Sequence, residues 1–160
     1  MTSLKEALAI KLKGAKQIVF LGIGSDLRGD DSAGIVFIKR LRRILRRHPK
    51  KTRISFLIGS NVPENLTGKI KKLKPSHLVM VDAAMIAKRA GTIRLLTPDS
   101  AGGAMFSTHT LPLNVMIDYL KRYIDCNIII IGIRPGSLVF GKDLSPGVNL
   151  AIERLAYIIN

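Results

Sequence analysis

The chain has 160 residues, 47% of them hydrophobic, a length and composition that suit one compact domain with a substantial core. Lys and Arg number 26 against 11 Asp and Glu, and the resulting net charge of +15 favours anionic partners without dictating a fold. A single cysteine excludes an internal disulfide framework and any multi-cysteine zinc or iron–sulfur site. The apolar runs are far shorter than the ~20 residues that span a bilayer, so no transmembrane helix is expected.

Residues 1–15 form a basic N-terminal extension in which Leu4, Leu8 and Leu12 share one face, a spacing that predicts a helix. With no long apolar run before a small-residue cleavage site, this segment does not read as a signal peptide, and a cytoplasmic location is expected. Buried strands are predicted over Gln17–Gly22, Arg53–Ile58, His77–Asp82 and Asn127–Ile133, each an apolar, β-branched run bounded by turn residues. Thr92–Leu96 is shorter and predicts an edge strand. Helical spacing covers Ala33–Arg47, Pro63–Leu73, Leu111–Tyr123 and Pro146–Ile159, with Pro63, Pro112 and Pro146 suited to first-turn positions. The order βαβαββαβα predicts a single three-layer α/β domain over 1–160, a mostly parallel sheet with helices on both faces.

The first strand runs into Gly22-Ile23-Gly24-Ser25-Asp26-Leu27-Arg28-Gly29-Asp30-Asp31-Ser32-Ala33-Gly34. A glycine-rich strand-to-helix turn often cradles phosphate, but this one has neither GxGxxG nor Walker spacing, and three aspartates repel an anion. A cation or a metal-bound group suits it better. Helix capping accounts for at least one of Asp30 and Asp31, since Asp is a preferred N-cap; two adjacent acids cannot share one cap, which leaves the other for chemistry.

Asp82 ends a predicted strand, where open α/β sheets form their binding crevice; capping of a local turn is an equally good reading of that residue alone. His109 lies in the polar loop Ser107-Thr108-His109-Thr110, whereas His48 follows a run of arginines and His77 precedes a buried strand, as surface or structural residues would. Asp31, Asp82 and His109 from three separate loops would make a three-ligand metal site with open positions. Cys126 has no plausible histidine partner and reads as a small buried residue. Lys39–Arg47 carries six cations around an apolar stripe at Ile38, Leu41 and Leu45; a solvated basic helix face is the favoured reading, and nucleic-acid binding finds no recognition module and few aromatics to support it.

These motifs together resemble the hydrogenase maturation proteases, which remove a C-terminal extension from the large subunit of nickel-iron hydrogenases. The resemblance runs from Lys16 onward and rests on the Gly22–Gly34 loop with its acidic pair, on Gly59–Asn65 ending in Pro-Glu-Asn, on Val81-Asp82-Ala83 with Ser107-Thr108-His109, and on Ile131–Gly136 with Phe140-Gly141 and Leu144-Ser145-Pro146. It implies a five-stranded twisted sheet whose edge strand near Thr92–Leu96 runs antiparallel, and a peptidase without a nucleophilic triad. Asp31, Asp82 and His109 then stand as both catalytic and metal-binding residues, acting on nickel already installed in the substrate or on a bound divalent ion such as zinc. The implied partner is the large-subunit precursor, with no DNA, RNA or membrane insertion. Ser25 stands where the family commonly has Asn, and Arg134-Pro135-Gly136 replaces Gln-Pro-Glu. The competing expectation from another class is a non-catalytic module, binding either nucleotide in an α/β crevice or nucleic acid on its basic face.

Overall fold

A computed structural model describes residues 2–48, 50–101 and 112–160. The elements in chain order are α1 (Leu4–Lys11), β1 (Gln17–Ile23), α2 (Ala33–Arg47), β2 (Arg53–Ser60), α3 (Thr67–Leu73), β3 (His77–Ala83), β4 (Ile93–Leu96), α4 (Leu113–Lys121), β5 (Asn127–Ile133) and α5 (Pro146–Ile159). The sheet order is β2-β1-β3-β5-β4, parallel throughout except for β4, which pairs antiparallel with β5.

Both faces of the sheet are covered, which is why its central strands are continuously apolar rather than alternating. Ile18, Phe20, Val79, Val81 and Ile131 point to one side and pack with α2 and α5, while Val19, Leu21, Leu78, Met80 and Ile130 point to the other, against α3 and α4. The two sets are offset by one residue along each strand, as a period of two requires. Phe20 anchors the first layer, stacked on Phe56 at 5.9 Å and edge-on to Phe37 at 6.3 Å.

The helix expected in the N-terminal extension is present. Its start is closed by a capping box in which the Ser3 hydroxyl accepts from the Glu6 amide and the Glu6 carboxylate accepts from Ser3. Leu8 is buried against α2 and α5 and Leu4 and Leu12 pack beside it, so α1 is part of the core.

Two predicted helices take a different form. Pro63–Leu73 divides into a 3-10 turn over Pro63–Leu66, tied by the Thr67 hydroxyl donating to the Glu64 carbonyl, followed by the shorter α3. Leu111–Tyr123 contracts to α4, with Pro112 at the N-cap in an extended conformation (φ −55°, ψ 134°) rather than within the first turn. Leu111 lies outside the described residues. Among the described residues no helix is long and apolar enough to cross a membrane.

Candidate active site

The chain leaves β1 for α2 and β2 on one side and returns to β3 on the other, so the order of the sheet reverses between β1 and β3. Loops following two such strands diverge to opposite faces and leave a crevice at their carboxyl ends. Asp31 follows β1 and Asp82 is the penultimate residue of β3, and each is only 1% exposed.

Two glycines allow the first loop to close against β3. A Cβ on Gly34 would lie 2.1 Å from the Val81 carbonyl oxygen, and one on Gly24, whose φ is 127°, would lie 1.8 Å from that of Asp31. No side chain fits at either position. The backbone three residues after Asp31 therefore abuts the residue before Asp82, which sets the Asp31 turn against the carboxyl end of β3. The Asp82 carboxylate also accepts from the Ala83 amide at 2.7 Å, which orients it at the strand end. Burial of carboxylates is tolerated only where polar partners or cations compensate it. His109, the third expected member, lies outside the described residues.

Asp30 does not cap α2, contrary to the expectation from spacing. Ser32 is the N-cap residue of that helix, and its hydroxyl donates back to the Gly29 carbonyl rather than capping the first turn. The fully buried carboxylate of Asp30 instead accepts from the amides of Gly136 (2.7 Å), Ser137 (2.9 Å) and Ser145 (2.6 Å) and from the Ser145 hydroxyl (2.7 Å). Ser145 is the N-cap of α5, so this charge sits at the positive end of a helix 115 residues away in the chain. The loop from 134 to 145 is thereby pinned to the Asp30–Asp31 turn. Asp30→Ala removes several hydrogen bonds to a charged acceptor at once and should destabilise the fold by about 2–4 kcal/mol, more than loss of a single cap, with Asp30→Asn milder. Thermal melting of the two variants measures this; a change of a few tenths would show that water replaces the clamp.

The departures from the resemblance also find places. Ser25 accepts from the Leu27 amide at 3.3 Å, closing the kind of turn that Asn closes through its own side chain. Arg134 lies against the Met85 sulfur, and its Nε is buried with no hydrogen-bond partner among the described residues. Glu64, in the Pro-Glu-Asn segment after β2, has one carboxylate oxygen in the same condition. Both side chains are half-buried, and a buried polar atom without a partner is costly, which marks them as candidates for contacts with a bound molecule. Sequence reasoning gave neither of them a role; only the Pro-Glu-Asn pattern pointed to Glu64.

The remaining titratable candidates lie elsewhere. His77, at the opposite end of β3, is buried beside Asn127 and Ser76, and burial holds its pKa below the usual value. Cys126 precedes β5 at that same end. Desolvation pushes its thiol up to about 11, further raised by Asp125 and only partly offset by a hydrogen bond with the Leu78 backbone. Cys126→Ser should leave processing intact, and at pH 8 only about one thiol in a thousand is ionised, so alkylation by iodoacetamide should be slow. Loss of activity in Cys126→Ser with an unchanged melting temperature would restore the thiol as a nucleophile.

The family model described as hydrogenase maturation protease matches residues 38–160. The chain belongs to that family. A relative from Methanocaldococcus jannaschii is 39% identical over 155 residues, 95% of this chain and 91% of that one. The hydrogenase 3 maturation protease of Escherichia coli K12 is 33% identical over 136 residues, 84% of this chain and 83% of that protein. Among solved structures, the nickel-iron hydrogenase maturation protease HycI of Thermococcus kodakarensis superposes with a TM-score of 0.85 at 33% identity over 96% of both chains. The five-stranded, mostly parallel sheet is architecture shared with that structure. The clamp of Asp30 on the 134–145 loop is read from this chain's own contacts.

Proposed function

We propose that this protease removes the C-terminal extension of a nickel-loaded large-subunit precursor of a nickel-iron hydrogenase, with Asp31, Asp82 and His109 engaging the nickel of the substrate. The observation that carries the reading is the pair of buried carboxylates at the carboxyl ends of adjacent strands β1 and β3, in a chain of this family.

The donor chemistry fits a first-row divalent ion, since two carboxylates and an imidazole are hard and borderline ligands. Among the described residues no group of three or more His, Cys, Asp or Glu could hold a metal ion, and in this reading His109 or the substrate supplies the further donor. A resident ion such as zinc at the same residues would supply polarisation of the scissile carbonyl and an activated water.

The protein's own contribution is placement. Gly24 and Gly34 hold the Asp31 turn against β3, and Asp30 fixes the 134–145 loop beside that turn. Leu27, Val62, Met85, Val139 and Phe140 follow the carboxyl ends of β1, β2, β3 and β5 and stay exposed, an apolar border suited to a polypeptide rather than a nucleotide. Incubation with a nickel-loaded precursor should give a small mass loss at its C-terminus by intact-mass spectrometry. An unchanged mass, with nickel verified in the precursor and the protease folded, would refute the reading.

A further inference from the structure

One edge of the sheet is open. Among the described residues β2 pairs only with β1, and a groove lies along its other side in two adjoining cavities of about 680 and 220 Å³ that share Arg42, Phe56, Leu57 and Lys69. The successive residues Ile54, Ser55, Phe56 and Leu57 all line the larger cavity, although neighbours in a strand point to opposite faces. Its walls come from α2 on one face and α3 on the other. Both conditions hold only for a groove that follows the strand edge. It extends from Thr52, at the amino end of β2, to Ile58 and Leu66, toward the end of the sheet that carries Asp31 and Asp82.

The groove has an apolar floor and a basic border. Arg42, Arg46 and Lys69 line it with no ion-pair partner among the described residues, and no carboxylate lines either cavity. Two further cations at its ends are already engaged, Lys39 with Asp26 and Lys50 with main-chain carbonyls at the chain terminus.

From this geometry we infer that the β2 edge is a docking groove for an extended acidic segment of the precursor, which adds to the sheet as a sixth strand. The identity of the partner rests on the protease reading; the class of ligand does not. A strand edge offers main-chain donors and acceptors at the spacing of another polypeptide, and side-chain pockets beside it select the sequence. A phosphodiester chain cannot complete that ladder. A second copy of this chain would place Arg42, Arg46 and Lys69 against like charges, which costs several kcal/mol in a close interface. An acidic strand meets both the ladder and the charge.

The first test uses a twelve-residue peptide of alternating Glu and Val, which needs no proteolysis. It should bind, slow hydrogen exchange across Arg53–Ser60, and lose at least about tenfold in affinity for the Arg42→Glu, Arg46→Glu, Lys69→Glu variant at low salt, with the difference shrinking at 0.5 M salt. The second uses the nickel-loaded precursor, for which the variant's defect should fall on KM rather than on kcat. Arg42→Gln, Arg46→Gln, Lys69→Gln provides the same comparison if charge reversal perturbs folding. Peptide binding without protection of β2, a twelve-nucleotide single-stranded DNA that binds more tightly than the peptide, or a concentration-dependent dimer that protects β2 unaided would each overturn the groove. Normal processing with an unchanged KM in a folded variant would sink the inference and spare the protease reading, whereas an intact precursor with a protected β2 would do the reverse.

Discussion

Asp31→Asn, Asp82→Asn and His109→Ala should each stop processing of a nickel-loaded precursor, a fall of roughly a thousandfold or more if the lost contact contributes several kcal/mol to the transition state. Asn is the informative replacement at the two acids because both are 1% exposed, so truncation to Ala would add a packing defect to the chemical one. Asn keeps the volume and removes the charge. Intact-mass spectrometry of the precursor and circular dichroism of the variant separate the two effects, and full activity in any of the three would remove that residue from the site. Asp30→Asn offers an internal contrast, since the Asp30 carboxylate is spent on the Gly136, Ser137 and Ser145 donors; its defect should appear first in melting temperature.

The contrast between those adjacent acids shows what local sequence could and could not reveal. The strands were legible because helices cover both faces of the sheet, which makes Val19–Ile23 and His77–Ala83 continuously buried and leaves unbroken apolar runs between turn residues. Ala33–Arg47 and Pro146–Ile159 were legible to the residue, each with a clear apolar stripe, the second with Pro at its first position. Asp82 was legible as the polar end of an apolar run.

Asp30 was not, because its partners lie 106 to 115 residues away and no spacing rule reaches them. Capping was the best local inference for an Asp before a helix, and tertiary contact overrode it. The division of Pro63–Leu73 has a similar cause: Pro63 also starts a 3-10 turn, and helical periodicity over so short a segment does not separate the two. The open edge of β2 depends on strand order, which the alternation of elements leaves undetermined. Only the basic run on α2 hinted at it, and a solvated face explained that run equally well until Arg42 and Arg46 were found lining a groove.

The protease should cleave the nickel-containing precursor and leave the nickel-free form uncut, although both contain the same peptide bond. Asp31 and Asp82 are acceptors near the carboxyl ends of β1 and β3, and in the proposed function they would join His109 as a donor set suited to a divalent ion rather than to attack on a peptide. Contact with nickel in the substrate supplies binding energy that the nickel-free precursor lacks. That energy can hold the scissile bond in reactive geometry, so the discrimination should appear in kcat as well as in binding. The groove along β2 makes the comparison sharper. If the acidic segment docks there, both precursors bind at low salt, and only one is cut. Time courses with matched precursors, with nickel content measured independently, decide the matter: equal cleavage would exclude gating by substrate nickel and make a resident divalent ion on the same three residues the better account.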